Sequence, residues 1–335
     1  MFLNSWSLGL SLSSLIVLFL GIMACRTAVR VLRFWDPASD GNRQIRLENE
    51  IWLASTLVEY ALVFQIITLI LFVLAADHFC KVIVGAMCAT GALLANSWGV
   101  PALLVKLAGV FLYGFWIVLH HLDISSETYP LVRIKYFYLI FLAPLLLADI
   151  TLQTLYIAKL NPDIITSCCA VVFGATANES QNLLGSVNQG AMLTLFYGTI
   201  GSLLIIGIII LRSWRQATAS LFSLIWLFFL GLATVAVISV FSSYIYAMPF
   251  HHCPFCILKP EYYYIGFPIY GSLIGAGFFG ISSAAVEPFK RKKDLAAEVT
   301  RYQTLAVKAS LFLLMVFTVL CSYHYVLYRI SGGES

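Results

Sequence analysis

Eight long apolar stretches dominate this chain, near 6–25, 51–75, 100–120, 137–157, 190–211, 218–246, 264–286 and 309–328. Each holds at least the roughly 20 residues that a helix needs to cross a bilayer. In hydrocarbon every backbone N–H and C=O must find a partner inside the protein, so such stretches span as helices. Composition agrees: 61% of residues are hydrophobic and 11% charged, with mean hydropathy +0.91. A soluble domain carries roughly 25% charged residues. No stretch between the spans is long enough for a separate soluble domain. The expectation is an all-α, multi-pass membrane helical bundle, with residues 1–335 forming a single integral membrane domain.

Orientation follows from Lys and Arg, which concentrate on the cytoplasmic side. With the N-terminus outside, the inner segments hold Arg26, Arg30, Arg33, Arg43, Arg46, Arg133, Lys135, Arg212 and Arg215. The last inner segment adds Lys290, Arg291, Lys292, Lys293, Arg301 and Lys308, making fifteen of the twenty basic residues. Lys81, Lys159, Lys259 and Arg329 fall outside, and Lys106 sits within a span. Both termini are therefore expected outside. The net charge of +4 is a topological signal and no nucleic-acid footprint. The run Lys290–Lys293 suits a helix end and can also attract anionic membrane lipid. Ile22-Met23-Ala24-Cys25 loosely resembles a lipoprotein cleavage box, but the arginines follow the first span and do not precede it, so the helix is read as retained.

Three outer segments carry the chemistry. Residues 76–99 are too apolar for a solvated loop and too short to cross and return as full helices. They read as an interfacial or re-entrant segment, with Trp98 as an interfacial anchor. Residues 158–189 contain Cys168 and Cys169, followed by a polar, Gly/Asn/Gln/Ser-rich stretch that reads as loop. Residues 247–263 hold His251-His252-Cys253-Pro254-Phe255-Cys256, then Lys259-Pro260-Glu261 and Tyr262, Tyr263 and Tyr264.

Cysteine usage fits an oxidising outer face. Cys80, Cys88, Cys168, Cys169, Cys253 and Cys256 lie outside on this topology, Cys25 inside, and Cys321 in the eighth span as a small hydrophobe. The Cys-x-x-Cys reads as opening the seventh span, where helix N–H groups favour a thiolate. Its short spacing suits a reducible disulfide rather than a staple. A protonated His252 beside Cys253 would favour the thiolate, and the same histidines and cysteines can ligate a soft metal. His120 and His121 read as the polar inner end of the third span. Glu59, Lys106 and Asp149 lie within spans, where an ionisable group marks a functional candidate unless paired; an Asp149–Lys106 pair is one option. There is no Cys-x-x-Cys-His for haem and no nucleotide-binding glycine motif.

The order of the fourth to seventh spans, with Ser167-Cys168-Cys169 in the outer loop and Cys253-Pro254-Phe255-Cys256 before the seventh span, resembles the four-helix core of the vitamin K epoxide reductase-like family. It is also similar to the bacterial quinone-linked disulfide-forming enzymes of the same plan. The resemblance covers about 150–286 and implies a four-helix redox core there. Cys168 and Cys169 are adjacent, whereas the family's loop cysteines are separated, often by seven residues. That wider spacing occurs at Cys80 and Cys88, followed by Ser97-Trp98-Gly99, on the preceding hairpin.

The resemblance implies a membrane thiol–disulfide oxidoreductase. Cys253, as the exposed member, would exchange with Cys168 or Cys169, or alternatively with Cys80 or Cys88. Cys256 would face a quinone bound among Tyr262, Tyr263, Tyr264 and Phe267, and His252 would favour the thiolate or relay a proton. The reductant would be an extracytoplasmic thioredoxin-like protein. The tyrosines also fit an interfacial aromatic belt. Two other readings stay open: an outer Cys/His site that captures or transports a soft metal, and a non-catalytic membrane subunit with structural disulfides.

Overall fold

The computed structural model describes residues 4–35, 41–84, 86–126, 128–163, 188–248, 251–292 and 294–332. The described residues are helical with no strand. Eight of the helical segments are long and apolar enough to cross a membrane, as a multi-pass membrane protein requires. Cys168 and Cys169 fall outside the described residues.

The helices run well past the apolar stretches. We number them α1 (Ser5–Phe34), α2 (Asn42–Phe79), α3 (Ala89–Leu94), α4 (Gly99–Ile124) and α5 (Val132–Ala158). They continue as α6 (Gln189–Arg212), α7 (Gln216–Ala236), α8 (Ser242–Tyr246), α9 (Gly266–Ala285) and α10 (Ala296–Ile330). At 1.5 Å per residue, the 38 residues of α2 extend well beyond a hydrocarbon core of about 30 Å. Its charged first turns, with Arg46, Glu48 and Glu50, account for the excess. Asn4 starts α1 by accepting a hydrogen bond from the Trp6 amide, and Asn188 starts α6 by accepting from Gly190 and Ala191. Each cap satisfies donors that a helix N-terminus leaves open.

The chain divides into two compact units. In the first, α1 packs on α2 and α5, and α4 packs on the same two helices, closing a ring of four. Its core is aromatic and aliphatic, with Tyr113, Trp116, Tyr136 and Leu142 buried against Ala24, Ala28 and Val31. In the second, α6 packs on α7 and α10, and α9 packs on α7 and α10, giving another ring of four. Here Phe196, Trp226, Phe229, Phe241 and Phe317 form the buried centre. Phe196 meets Phe241 at a centroid distance of 5.0 Å, within the range favoured by aromatic pairs.

The second unit differs from the expected 150–286 core at both ends. The helix 132–158 belongs to the first unit, and 296–330 takes the fourth position in the second. Buried charge explains part of this. Lys135 of α5 is 1% exposed and pairs with Asp123 of α4 at 2.8 Å. Asp149 of α5 pairs with Lys106 of α4 at 2.9 Å. These bridges tie α5 to α4, and hydropathy alone cannot reveal them. Lys135 is thus no solvated loop charge.

The 76–99 segment contains only a six-residue helix, α3. α2 persists to Phe79 and α4 begins at Gly99, leaving a turn and this short helix between them. Residues on either side of Gly91 group with different units. Residues 86–91, carrying Cys88 and Thr90, belong to the second.

Candidate functional site: a three-cysteine cluster

α7 does not end as an α-helix. It passes through a π-helical turn, Val237–Phe241, before the short α8. Ala247 then adopts a left-handed conformation with φ 53°, which turns the chain out of the helix. Such a conformation is unfavourable for a residue with a side chain and persists only where surrounding structure enforces it. The turn leads into His251–Cys256.

The two cysteines of this segment do not open a long helix. Cys256 begins a three-residue 3-10 turn, Cys256–Leu258, and α9 starts only at Gly266. The expected help from the dipole of the seventh span is therefore absent. Cys253 is also not the exposed member: it is fully buried at 0%, and Cys256 is 8% exposed. Both lie in the apolar core of the second unit, together with Tyr246, Ile257 and Cys321.

The loop before α3 supplies the third sulfur. Cys88, 1% exposed, puts its Sγ 3.3 Å from Cys253 Sγ. The sulfurs of Cys88, Cys253 and Cys256 all lie within 4.8 Å of one another. The Thr90 hydroxyl sits 3.3 Å from Cys253 Sγ. Lys259 donates to the Met87 carbonyl at 3.0 Å, tying the 3-10 turn to the Cys88 loop.

Backbone carbonyls of the Cys-x-x-Cys are held by two tyrosines. Tyr246 donates to the Cys253 carbonyl at 2.5 Å, and Tyr270 of α9 donates to Pro254 at 2.8 Å. Gly266 lets the 3-10 turn lie directly on the start of α9. A Cβ there would meet the Ile257 carbonyl at 2.9 Å and the Leu258 side chain at 2.7 Å.

His252 places Nδ1 3.1 Å from the Ile238 carbonyl in the π-helical turn. A carbonyl only accepts, so Nδ1 carries a proton in this contact. π-helical turns occur often at functional sites. The neighbouring His251 stacks edge-on against Tyr246 with ring centroids 4.6 Å apart. Burial pushes its pKa below the ordinary histidine value; nearby Cys88 opposes that shift, whereas His252 and Lys259 reinforce it. His251 is accordingly a neutral imidazole at pH 7.

The remaining sequence-derived candidates separate. Tyr262 reaches the site, its ring 4.7 Å from that of Tyr246. Its hydroxyl pKa is raised by burial first, then by Cys256 and Glu261, with Lys259 opposing. Tyr263 and Tyr264 both take left-handed backbone conformations. Tyr263 is 93% exposed and Tyr264 49%. Phe267 is half-buried and its ring lies 6.2 Å from that of Tyr264. The four residues thus do not form one enclosed pocket. A two-residue left-handed turn rotates consecutive side chains apart, which the run of tyrosines gives no hint of. Cys80 lies in the first unit, where its Sγ donates to the Asp77 carbonyl at 2.8 Å.

Three residues of the site escaped the sequence reading. Tyr246, Tyr270 and Thr90 contact the cluster through backbone carbonyls or a single sulfur, contacts without a spacing rule. The intramembrane charges singled out from the sequence, Glu59, Lys106 and Asp149, each have a partner. Lys106 bonds Asp149 and Thr68, and Gln65 donates to the other oxygen of Asp149. Glu59 meets His121 at 2.9 Å and His120 at 3.6 Å.

No known protein family, curated protein or solved structure matches this chain. The cluster itself is therefore the basis for any assignment. Three buried sulfurs at these distances can do one of two things. They can exchange a disulfide among themselves, since attack of one sulfur on another needs only a short approach. They can alternatively donate three thiolates to a soft cation.

Proposed function

We propose that this protein is a membrane thiol–disulfide oxidoreductase working through Cys88, Cys253 and Cys256, with a membrane quinone as its other electron partner. The observation that carries this is the 3.3 Å approach of Cys88 to Cys253, with Cys256 in the same cluster. A disulfide needs a separation of about 2.05 Å, so a closing movement of little more than 1 Å makes the bond.

The chemistry balances as follows. Cys88 and Cys253 lose two protons and two electrons to form a disulfide, and the quinone takes up both pairs to become a quinol. The Cys256 thiolate then attacks Cys253, moving the disulfide to Cys253–Cys256 and releasing the Cys88 thiolate. Reduction by a dithiol, for which an extracytoplasmic thioredoxin-like protein is suited, resets the enzyme. His252, with Nδ1 fixed on a backbone carbonyl, has Nε2 available to take a proton. The quinone, the partner and the outward placement of the cluster, with both termini outside, are supported by the family resemblance and by the basic-residue asymmetry.

A second reading is favoured by the same three sulfurs: a Cys₃ site that captures a soft metal such as Cu(I), Zn²⁺ or Hg²⁺. One experiment separates the two. Purified full-length protein is treated with chelator, reduced, desalted, and mixed with a water-soluble quinone analogue while free thiols are counted. The redox reading expects two thiols lost per chain and one quinol formed, with Cys253→Ser abolishing both. Stoichiometric metal, unreactive thiols in its presence and no quinol without it would overturn that reading in favour of capture.

A further inference from the structure

The first unit contains two apolar cavities that nothing in the cysteine chemistry uses. One, of about 520 Å³, runs between α1, α2, α4 and α5, lined by Val17, Gly21, Leu62, Leu142 and Leu146. The other, of about 310 Å³, lies between α1 and α2, against Met23, Leu53 and Leu57. Both volumes fall within the range of about 300–1,000 Å³ typical of ligand sites. The cavities share five lining residues: Leu20, Ala24, Arg26, Arg30 and Val58. They are two apolar slots meeting at one pair of arginines.

A polar group inside the larger slot sharpens the picture. Tyr113 lines it and is 1% exposed, and its hydroxyl has no hydrogen-bond partner. The ring is seated against Gly109 one turn earlier, where a Cβ would come within 2.6 Å of it. A buried hydroxyl without a partner is costly and calls for an acceptor. Three residues on, Trp116 donates to the Lys135 carbonyl. At the adjoining end of α5, Arg133 donates to Trp35 at the close of α1. Tyr113 lines the same cavity as Arg26 and Arg30. Arg30 is steadied at the mouth by Glu50 at 2.8 Å.

We infer that the first unit binds one diacyl anionic phospholipid, its two chains in the two cavities, its phosphate at Arg26 and Arg30, and an ester carbonyl accepting from Tyr113. The chemistry matches part by part. Paired slots suit paired chains. Guanidinium groups at a membrane surface bind phosphate oxygens. The Tyr113 hydroxyl, buried in the wall of the larger slot, lacks an acceptor that an ester carbonyl can supply. A free phosphate has nothing to fill the slots, and a single-chain lipid leaves one of them empty.

The test is native mass spectrometry of the delipidated full chain in detergent, titrated with four probes. These are dioleoyl phosphatidylglycerol, dioleoyl phosphatidylcholine, oleoyl lysophosphatidylglycerol and glycerol 3-phosphate. The expected result is one phosphatidylglycerol retained per chain, about tenfold or more tighter than either of the other two lipids, with glycerol phosphate not retained. Arg26→Gln should weaken it about fivefold. Tyr113→Phe should weaken the two diacyl lipids alike, since both carry esters. Equal retention of phosphatidylcholine, or of the single-chain lipid, overturns the inference. The wild-type competition decides this even if a variant fails to fold, and the readout does not depend on the thiols.

Discussion

Cys88 Sγ lies 3.3 Å from Cys253 Sγ, although the two residues are 165 positions apart in the chain. The Lys259–Met87 hydrogen bond ties the two segments together beside it, and a left-handed turn at Ala247 leads the chain into the Cys-x-x-Cys. The contact joins a loop cysteine to the Cys-x-x-Cys without any help from a long helix terminus.

That contact predicts different fates for two serine variants. In Cys256→Ser the resolving thiol is gone, so oxidation should accumulate a Cys88–Cys253 disulfide. In Cys253→Ser neither internal bond can form through residue 253. Peptide mapping after alkylation reads the first directly. Each variant should lose about a hundredfold or more in quinone-dependent dithiol oxidation, as expected when a thiol that forms a covalent intermediate is removed. Full activity in both would remove the Cys-x-x-Cys from the mechanism.

Cys80 and Cys88 share a loop spacing that made either a candidate for the exchange partner. Cys88 joins the sulfur cluster of the second unit, and Cys80 donates to the Asp77 carbonyl within the first. Cys88→Ser should abolish the oxidation-induced Cys88–Cys253 product. A Cys88→Ser variant that keeps full quinone-dependent dithiol oxidation would remove Cys88 from the exchange.

The spans were legible because membrane insertion leaves a plain signal: 20 consecutive apolar residues admit few alternatives. Helix ends were not, since α2 and α10 continue through charged turns that hydropathy excludes. The Cys-x-x-Cys was visible as a motif, but its setting was not. Cys253 looked exposed because outer loops usually are; the Cys88 loop and Tyr246 bury it. Of Tyr262, Tyr263 and Tyr264, only Tyr262 meets Tyr246 at the cluster, and left-handed backbone at Tyr263 and Tyr264 turns the run of side chains apart. Residues contacting the site through carbonyls leave no sequence pattern, which is why Tyr246 and Tyr270 went unseen.

Lys106 and Asp149, each 1% exposed at the side chain, tie α4 to α5 inside the first unit. Removing one partner strands a buried charge, which costs about 3–5 kcal/mol, whereas replacing both with apolar residues of similar size is nearly neutral. Lys106→Met and Asp149→Leu should each lower the unfolding free energy by about that much in detergent. The double variant should be more stable than either. Additive losses would mean that the pair is not coupled as the 2.9 Å contact indicates.

His251 gives the fold a pH dependence of defined sign. Its folded-state pKa lies below the ordinary value of 6.5 because burial disfavours the charged ring. As pH falls below that ordinary value, the unfolded chain takes up a proton before the folded one does. Stability is thus fully present above about pH 6.5 and declines as pH drops through the lowered folded value. His251→Gln should flatten this part of the curve in thermal unfolding scans between pH 7.5 and 5. A wild-type curve whose acid limb is steeper in the variant would contradict the assignment.

The orientation of the bundle can be checked at the C-terminus. Eight crossings would put both ends on one side, and the proposal that this side is the outer one rests on the arginine and lysine distribution. Lys135 must be withdrawn from that count, since it is buried against Asp123. Fourteen basic residues still fall in the segments proposed as inner, against Lys81, Lys159, Lys259 and Arg329 in those proposed as outer. Two of the inner ones, Arg26 and Arg30, sit where an anionic headgroup would strengthen the preference. A reporter active only in the cytoplasm, fused after Ser335, should therefore stay silent, while one active only outside should give signal. The reverse pattern would put the cysteine cluster on the reducing side of the membrane, where a standing disulfide is rarely kept, and would favour the metal reading over the redox one.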